Sequence, residues 1–190
     1  MDTNKDFDEG RLIRRCQQGD SHAYGVMVEH YKERAYYSAL GLVSSHEAAL
    51  DLSQEAFVRA YRSISKLEPE RKFFTWFYQI LRHLCFNHLR DRARHARPFS
   101  EINVEEVQQI VDTSQNTEEH IEQAEMKTAV WRAIDSLKEN DKEIIILKDF
   151  QNMSYKEIAE VLECPIGTVM SRLYTARQAL KSKLEGYFDE

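Results

Sequence analysis

Five of the six residues Phe73 to Tyr78 are aromatic, in the run RKFFTWFYQILR (71–82), and Arg71, Lys72 and Arg82 bracket them. Rings beside cations suit single-stranded nucleic acid. Unpaired bases stack on the rings, at roughly 1–3 kcal/mol per base, and the cations hold the backbone. At about 100° per residue the rings spread over roughly 200° of a helix, where one buried stripe needs only ~100°. Some of them are therefore expected to be exposed or in a groove. An aromatic-rich core would use the same residues. The tail HLRDRARH (88–95) continues the cationic face.

A second candidate lies in SYKEIAEVLECPIGTVMSRLYTARQALKSKL (154–184). Ser154 followed by Glu157 is a capping box, in which hydroxyl and carboxylate satisfy the first backbone N–H groups of a helix. Ile158, Ala159 and Leu162 then form a buried stripe. A short connection follows, with Pro165 suited to the first turn of the next helix. There Ile166, Val169, Leu173, Ala176 and Leu180 are expected on one face, and Thr168, Ser171, Arg172 and Thr175 on the other. Two short helices, a tight turn and a polar second helix describe a helix-turn-helix that enters a major groove. Arg172 suits guanine or phosphate, and Thr168 and Ser171 suit phosphates or base edges. A helical hairpin used only for packing would show the same apolar pattern.

Other chemistry finds little footing. His83 and His88 stand ~140° apart on a helix, so with Cys85 and His95 they make no metal-ligand spacing. There is no glycine-rich phosphate loop and no nucleophile motif. Neither catalysis nor a cofactor is expected.

These residues sit in a chain of 190 residues, 42% hydrophobic, with only 6 Gly and 3 Pro. That suits helical cores better than an all-β fold with many tight turns. No apolar run approaches the ~20 residues of a membrane span. The start, MDTNKDFDEG, is polar and acidic rather than a signal peptide. Cys16, Cys85 and Cys164 are far apart and odd in number, which fits a reducing compartment. The protein is expected to be cytoplasmic, with no membrane contact of its own.

The net charge of −6 hides a pattern. Residues 71–97 carry +6, residues 101–125 carry −8 and residues 164–184 carry +4. Surfaces act through local potential over about a Debye length, so blocks matter more than the mean. Leu12, Ile13 and Cys16, then Tyr24, Met27, Val28 and Tyr31, recur at helical steps, as do Ala49, Leu52, Ala56 and Ala60. Gly19-Asp20 and Gly41 to Ser45 read as helix breaks. Periodicity lapses over 99–119 and resumes from Ile121 through Leu137, then Ile144 to Phe150. An all-α protein is predicted: two helical domains, at 1–97 and 121–190, joined by an acidic linker at 98–120, with a helix-turn-helix in the second.

Four segments in this order resemble the extracytoplasmic-function sigma factors of bacterial RNA polymerase. They are QQGDSHAYGVMVEHY (17–31), ALDLSQEAFVRAYRSI (49–64), RKFFTWFYQILRHL (71–84) and MSYKEIAEVLECPIGTVMSRLYTARQAL (153–180). The resemblance implies a sigma region 2 at 1–97, whose Leu50, Asp51, Gln54 and Glu55 meet the clamp helices of the polymerase's largest subunit. Arg71, Lys72, Phe74, Trp76, Tyr78, Arg82, His83 and Arg90 would melt and read a −10 element as single strand, with one base flipped into a pocket. His83 stands where the family usually has Asn. The second domain would be a sigma region 4 that reads a −35 duplex through Thr168, Met170, Ser171, Arg172, Tyr174, Thr175 and Arg177. Met170 and Thr175 occupy positions often basic in that family, and Tyr174 would supply an apolar contact. The implied partners are core RNA polymerase, at its clamp helices and flap region, promoter DNA and an anti-sigma factor. A stand-alone helix-turn-helix regulator, or an adaptor that binds polymerase without DNA, would share part of this pattern. The alternation of charge blocks suggests that the linker or close domain packing masks the DNA-binding faces of the free protein.

Overall fold

The computed structural model describes residues 7–68, 70–95 and 118–188. Helices α1 (Glu9–Gln17), α2 (Ser21–Val43), α3 (His46–Ser63) and α4 (Phe73–His95) build the N-terminal domain. Helices α5 (Glu118–Asp135), α6 (Glu139–Ile145), α7 (Tyr155–Val161) and α8 (Ile166–Phe188) build the C-terminal one. No strand occurs among the described residues. Pro69, Pro98 and the acidic segment up to residue 117 lie outside them.

Polar side chains set the starts of these helices. Asp8 accepts from Arg11 N at 2.9 Å, and Asp20 from Ala23 N at 3.0 Å, each satisfying an N–H that a helix start leaves unpaired. The break at Gly19-Asp20 is present, with Gly19 at φ 88°, where glycine has no Cβ penalty. The second break is narrower than the sequence suggests. Gly41 lies inside α2, and the chain turns only at Ser44, at φ 54°, with Ser45 capping α3. The glycine answers a different need. A Cβ at residue 41 would lie 2.5 Å from Ile146 Cδ1 and 3.6 Å from Trp131 Cζ3. It is a site of close approach to the C-terminal domain.

Small and large residues divide the work of the N-terminal core. Ala23, Ala35, Ala39, Ala49, Ala56 and Ala60 are fully buried, so α2 and α3 pack closely. Phe73 and Phe77 of α4 fill the remaining space, stacked against Tyr31 at 5.3 Å and Phe57 at 4.5 Å. In the C-terminal domain α6 passes into a π-turn at Ile146–Phe150. The run Ile144 to Leu147 is buried with Ile158, Val169, Leu173 and Ala176. The capping box forms as predicted: Ser154 N donates to Glu157 Oε2 at 2.7 Å, and Glu157 N donates to Ser154 Oγ at 3.3 Å. Between α7 and α8 the chain turns at Glu163, φ 50°, and the Pro165 carbonyl accepts from Thr168 N at 2.9 Å. Ile166 departs from expectation: it is 46% exposed. It lies about 50° off the arc centred on Val169, Leu173 and Ala176, at the helix's first turn.

One apolar cluster runs through both domains. Among the described residues no helix is long and apolar enough to cross a membrane.

Candidate nucleic-acid interface

Helix α4 carries the aromatic–basic block, and the fold gives it two functional faces. Toward α3 it forms an open cleft of about 420 Å³ lined by Arg59, Ser63, Trp76, Gln79, Ile80 and His83. Trp76 is half-buried and His83 exposed, so a ring, an imidazole, an amide and a guanidinium border one open hollow. Arg90 lies further along α4, exposed and bonded to Asn87 at 2.9 Å. The other rings are not available in this way. Phe73, Phe74, Phe77 and Tyr78 are all buried. The expectation of several exposed rings thus narrows to Trp76. The 200° arc exceeds one stripe because the N-terminal core covers one part and the C-terminal domain another.

Tyr78 shows the second cover. Its hydroxyl donates to Glu143 Oε1 of α6 at 3.3 Å. Burial, with the Glu143 carboxylate beside it, holds that phenol well above the ordinary range. Arg82 engages the same carboxylate with both arms, Nε to Oε1 at 2.6 Å and NH2 to Oε2 at 3.2 Å. Burial disfavours its charge, but the bonds to Glu143 outweigh this and raise its pKa. Lys72 Nζ reaches Glu157 at 2.9 Å, and Arg71 Nε donates to Glu160 at 2.6 Å. On α2, Arg34 lies 3.9 Å over the Phe74 ring and donates to the side chain and backbone oxygens of Gln151 at 3.0 and 3.1 Å. The structure therefore parts the predicted single-strand residues. Trp76, His83 and Arg90 face outward, whereas Arg71, Lys72, Phe74, Tyr78 and Arg82 are buried or tied to the C-terminal domain.

Helix α8 is differently placed. Met170, Ser171, Arg172, Tyr174, Thr175 and Arg177 are exposed, with Thr168 half-buried. Met170 is 53% and Tyr174 69% exposed, giving the face an apolar stripe beside its polar one. Ser171 Oγ donates to the Thr168 carbonyl and Thr175 Oγ1 to the Ser171 carbonyl, both at 3.1 Å, leaving hydroxyl lone pairs outward. Arg177 pairs with Asp149. Arg172 has no ion-pair partner among the described residues. On α3, Leu50, Asp51 and Gln54 are exposed and Glu55 half-buried, the last paired with Arg59 at 2.7 Å. Exposed Val58 extends the Leu50 side of that helix by two turns.

Sequence reasoning missed Arg59, Ser63, Gln79 and Ile80 in the cleft and the acids Glu143 and Glu160, and it read Glu157 only as a helix cap. Glu143 left one signal: it heads the apolar run EIIIL at a core-spaced position, where an acid needs a buried partner. Among the described residues no three His, Cys, Asp or Glu side chains converge as a metal site.

Comparison with known proteins finds two family models along the chain. Residues 27–95 match Sigma-70 region 2 and residues 127–180 match Sigma-70 region 4. The chain is 31% identical over 180 residues to the RNA polymerase sigma-H factor of Pseudomonas aeruginosa, covering 92% of this chain and 93% of that one. It is 32% identical over 182 residues to the ECF RNA polymerase sigma-E factor of Haemophilus influenzae, covering 92% and 94%. Two solved structures share the fold. CnrH, solved with the cytosolic domain of CnrY, matches with a TM-score of 0.71 at 21% identity over 94% of this chain and 98% of that one. RpoE of Bartonella quintana, solved with the anti-sigma factor NepR, matches with a TM-score of 0.67 at 22% identity over 85% and 96%.

Proposed function

The chain belongs to the sigma-70 family, among the ECF RNA polymerase sigma factors, and on that premise we propose that it carries core RNA polymerase to a restricted set of promoters. It supplies DNA reading and strand separation and no catalytic group of its own. The observation that carries this reading is the pairing, in one chain, of a Trp76–His83 cleft on α4 with an exposed recognition face on α8.

Each element has a task its chemistry fits. On α3, Leu50, Asp51, Gln54 and Glu55 meet the polymerase clamp, where acids and amides suit a basic partner surface. In the α4 cleft an unpaired −10 base stacks on Trp76 and meets the His83 imidazole and the Gln79 amide at its edge. Arg71, Lys72, Arg82 and Arg90 hold the strand's phosphates. On α8, Ser171 and Arg172 read the −35 duplex by hydrogen bonds, and Met170 and Tyr174 meet thymine methyls or sugar by apolar contact. Thr168, Thr175 and Arg177 position the helix on the backbone. The domains fall at 1–97 and 121–190, with the acidic segment 98–120 between them. Acting on the polymerase, the protein works in the cytoplasm. Its fold-mates CnrH and RpoE were each solved with a binding partner, and an anti-sigma factor is the corresponding regulator here.

Size-exclusion chromatography of the purified protein with core polymerase tests the reading. A one-to-one complex that opens promoter DNA is expected. Failure to co-elute, or a dimer that binds a palindromic duplex without polymerase, would count against it.

A further inference from the structure

Helix α1 lies upstream of residues 27–95, the part that matches Sigma-70 region 2, yet its two ends hold the connection between α3 and α4. At its C-terminal end Gln17 Nε2 donates to two backbone carbonyls of that connection, Ile64 O at 3.1 Å and Leu67 O at 2.5 Å. At its N-terminal end the Glu9 carboxylate accepts from Phe73 N, the first N–H of α4, which a helix start leaves unpaired. The other oxygen of Glu9 accepts from the Tyr31 hydroxyl of α2 at 3.1 Å. Burial, with Glu9 beside it, holds that phenol above its ordinary range, so it keeps its proton and donates. Eight residue steps of about 1.5 Å separate the two grips, roughly 12 Å along one rigid helix.

The grips stand where the cleft on α4 is shaped. Ser63 lines that cleft and directly precedes Ile64, and Trp76 lines it about one turn after Phe73. Apolar packing, such as Phe57 against Phe77 at 4.5 Å, holds α3 to α4 but is non-directional. The bonds from Gln17 and Glu9 are directional, and they fix how far the chain leaving α3 stands from the chain entering α4. Between them Ser65, Lys66, Glu68 and Glu70 are exposed, so the connection has little core of its own beyond Ile64 and Leu67.

We propose that α1 is a splint for strand capture, with Glu9 and Gln17 as positioning residues that set the width of the Trp76–His83 cleft. The proposal rests on the reading of that cleft as the −10 base site and adds what holds its shape. Neither side chain needs to touch DNA. A site keeps its selectivity while the shell behind it holds it to within about 0.5 Å. Loosening the splint should therefore blur the choice of −10 base and leave the duplex face of α8 alone.

Gln17→Glu keeps the size of the side chain but cannot donate to either carbonyl. Glu9→Ala removes the acceptor for Phe73 N, and Glu9→Gln keeps one. Each full chain is assayed with core polymerase on a promoter it opens, with the −10 positions randomised in one template pool and the −35 positions in another, and the transcripts are sequenced. Gln17→Glu and Glu9→Ala should flatten the −10 base preference at least about threefold, the effect of one hydrogen bond of ordinary net strength. Their −35 preference should match wild type, and Glu9→Gln should match it in both pools. Fewer transcripts with both preferences intact is what a merely structural role gives, and it overturns the proposal, as does equal flattening of both. Hydrogen exchange of the free protein is the second measurement. Gln17→Glu should speed exchange over residues 64–73 at least about tenfold, from two lost hydrogen bonds, and leave α8 unchanged. Unchanged exchange over 64–73 overturns the proposal. Should Gln17→Glu fail to fold, Glu9→Ala against Glu9→Gln carries both measurements. If instead the wild type with core polymerase yields no transcripts beyond those of core alone, the functional reading is struck, and the exchange result, measured without polymerase, still decides whether α1 holds the connection.

Discussion

Trp76 is only half-buried while its neighbours Phe73, Phe74 and Phe77 are buried, which fits it for the base-stacking role proposed for α4. Replacing it with Ala should reduce open complexes roughly tenfold, since base–aromatic stacking contributes about 1–3 kcal/mol. Closed-complex binding should change much less. Permanganate footprinting beside duplex-binding assays separates the two, and equal losses would remove Trp76 from strand capture. Arg172, unpaired in ionic terms and exposed, should cost about 1–3 kcal/mol of duplex affinity when changed to Ala. Promoters that depend on a −35 element should weaken accordingly, whereas templates with a premelted −10 bubble should be spared. Glu157 links local and long-range structure. Burial works to raise its pKa, but the Ser154 hydroxyl and N–H and the Lys72 ammonium outweigh this and bring it from 4.5 down to about 2. A lowered folded-state value gives stability that is complete above the unfolded value and lost as pH falls toward the folded one. The thermal-stability advantage of wild type over Glu157→Gln should therefore hold at neutral pH and shrink between about pH 4.5 and about pH 2. An advantage that does not move with pH would show that the Ser154 and Lys72 surroundings do not act through this charge.

At the scale of elements, caps and periodicity were legible and partners were not. The box at Ser154 and Glu157 could be read from two residues, because capping is local chemistry. Ser154→Ala should lower stability by about 1 kcal/mol, a Tm drop of about 2–4 °C, with Thr restoring most of it. Melting followed by circular dichroism checks this. The buried stripes of α1, α2, α3 and α8 were legible for the same reason, apart from Ile166 at the edge of its arc. Gly41 was misread as a helix break, because a glycine at a break and a glycine at a close approach look alike in sequence. Only Ile146, 105 positions away, tells them apart. The aromatic arc of α4 was read correctly as too wide for one stripe. Its second cover could not be foreseen, since a neighbouring domain buries rings as well as a groove does. The tie of Tyr78 and Arg82 to Glu143 spans more than sixty residues of chain, and no local pattern encodes it.

For the whole molecule, the acidic average of −6 turns out to be arranged as much across the domain contact as along the chain. The pairs in that contact are unequal. Arg71–Glu160 and Lys72–Glu157 are partly exposed, and such pairs contribute at most about 1 kcal/mol each. Arg82–Glu143 is different: its carboxylate is buried, so removing Arg82 leaves an uncompensated charge there and costs up to about 3–5 kcal/mol while the site stays closed. Because α8 stays exposed while Arg71, Lys72 and Arg82 are paired, the protein without polymerase should bind a −35 duplex measurably and a −10 single strand hardly at all. Anisotropy with the two probes at one salt concentration checks this, and equal affinities would mean that the closed arrangement does not govern DNA access. The central claim, promoter-specific initiation, is tested most directly by sequencing the 5′ ends of transcripts made in vitro on genomic DNA by core polymerase with and without this protein. The predicted result is a small set of start sites found only with the protein and sharing −10 and −35 elements at fixed spacing. The same start sites in both reactions would contradict it.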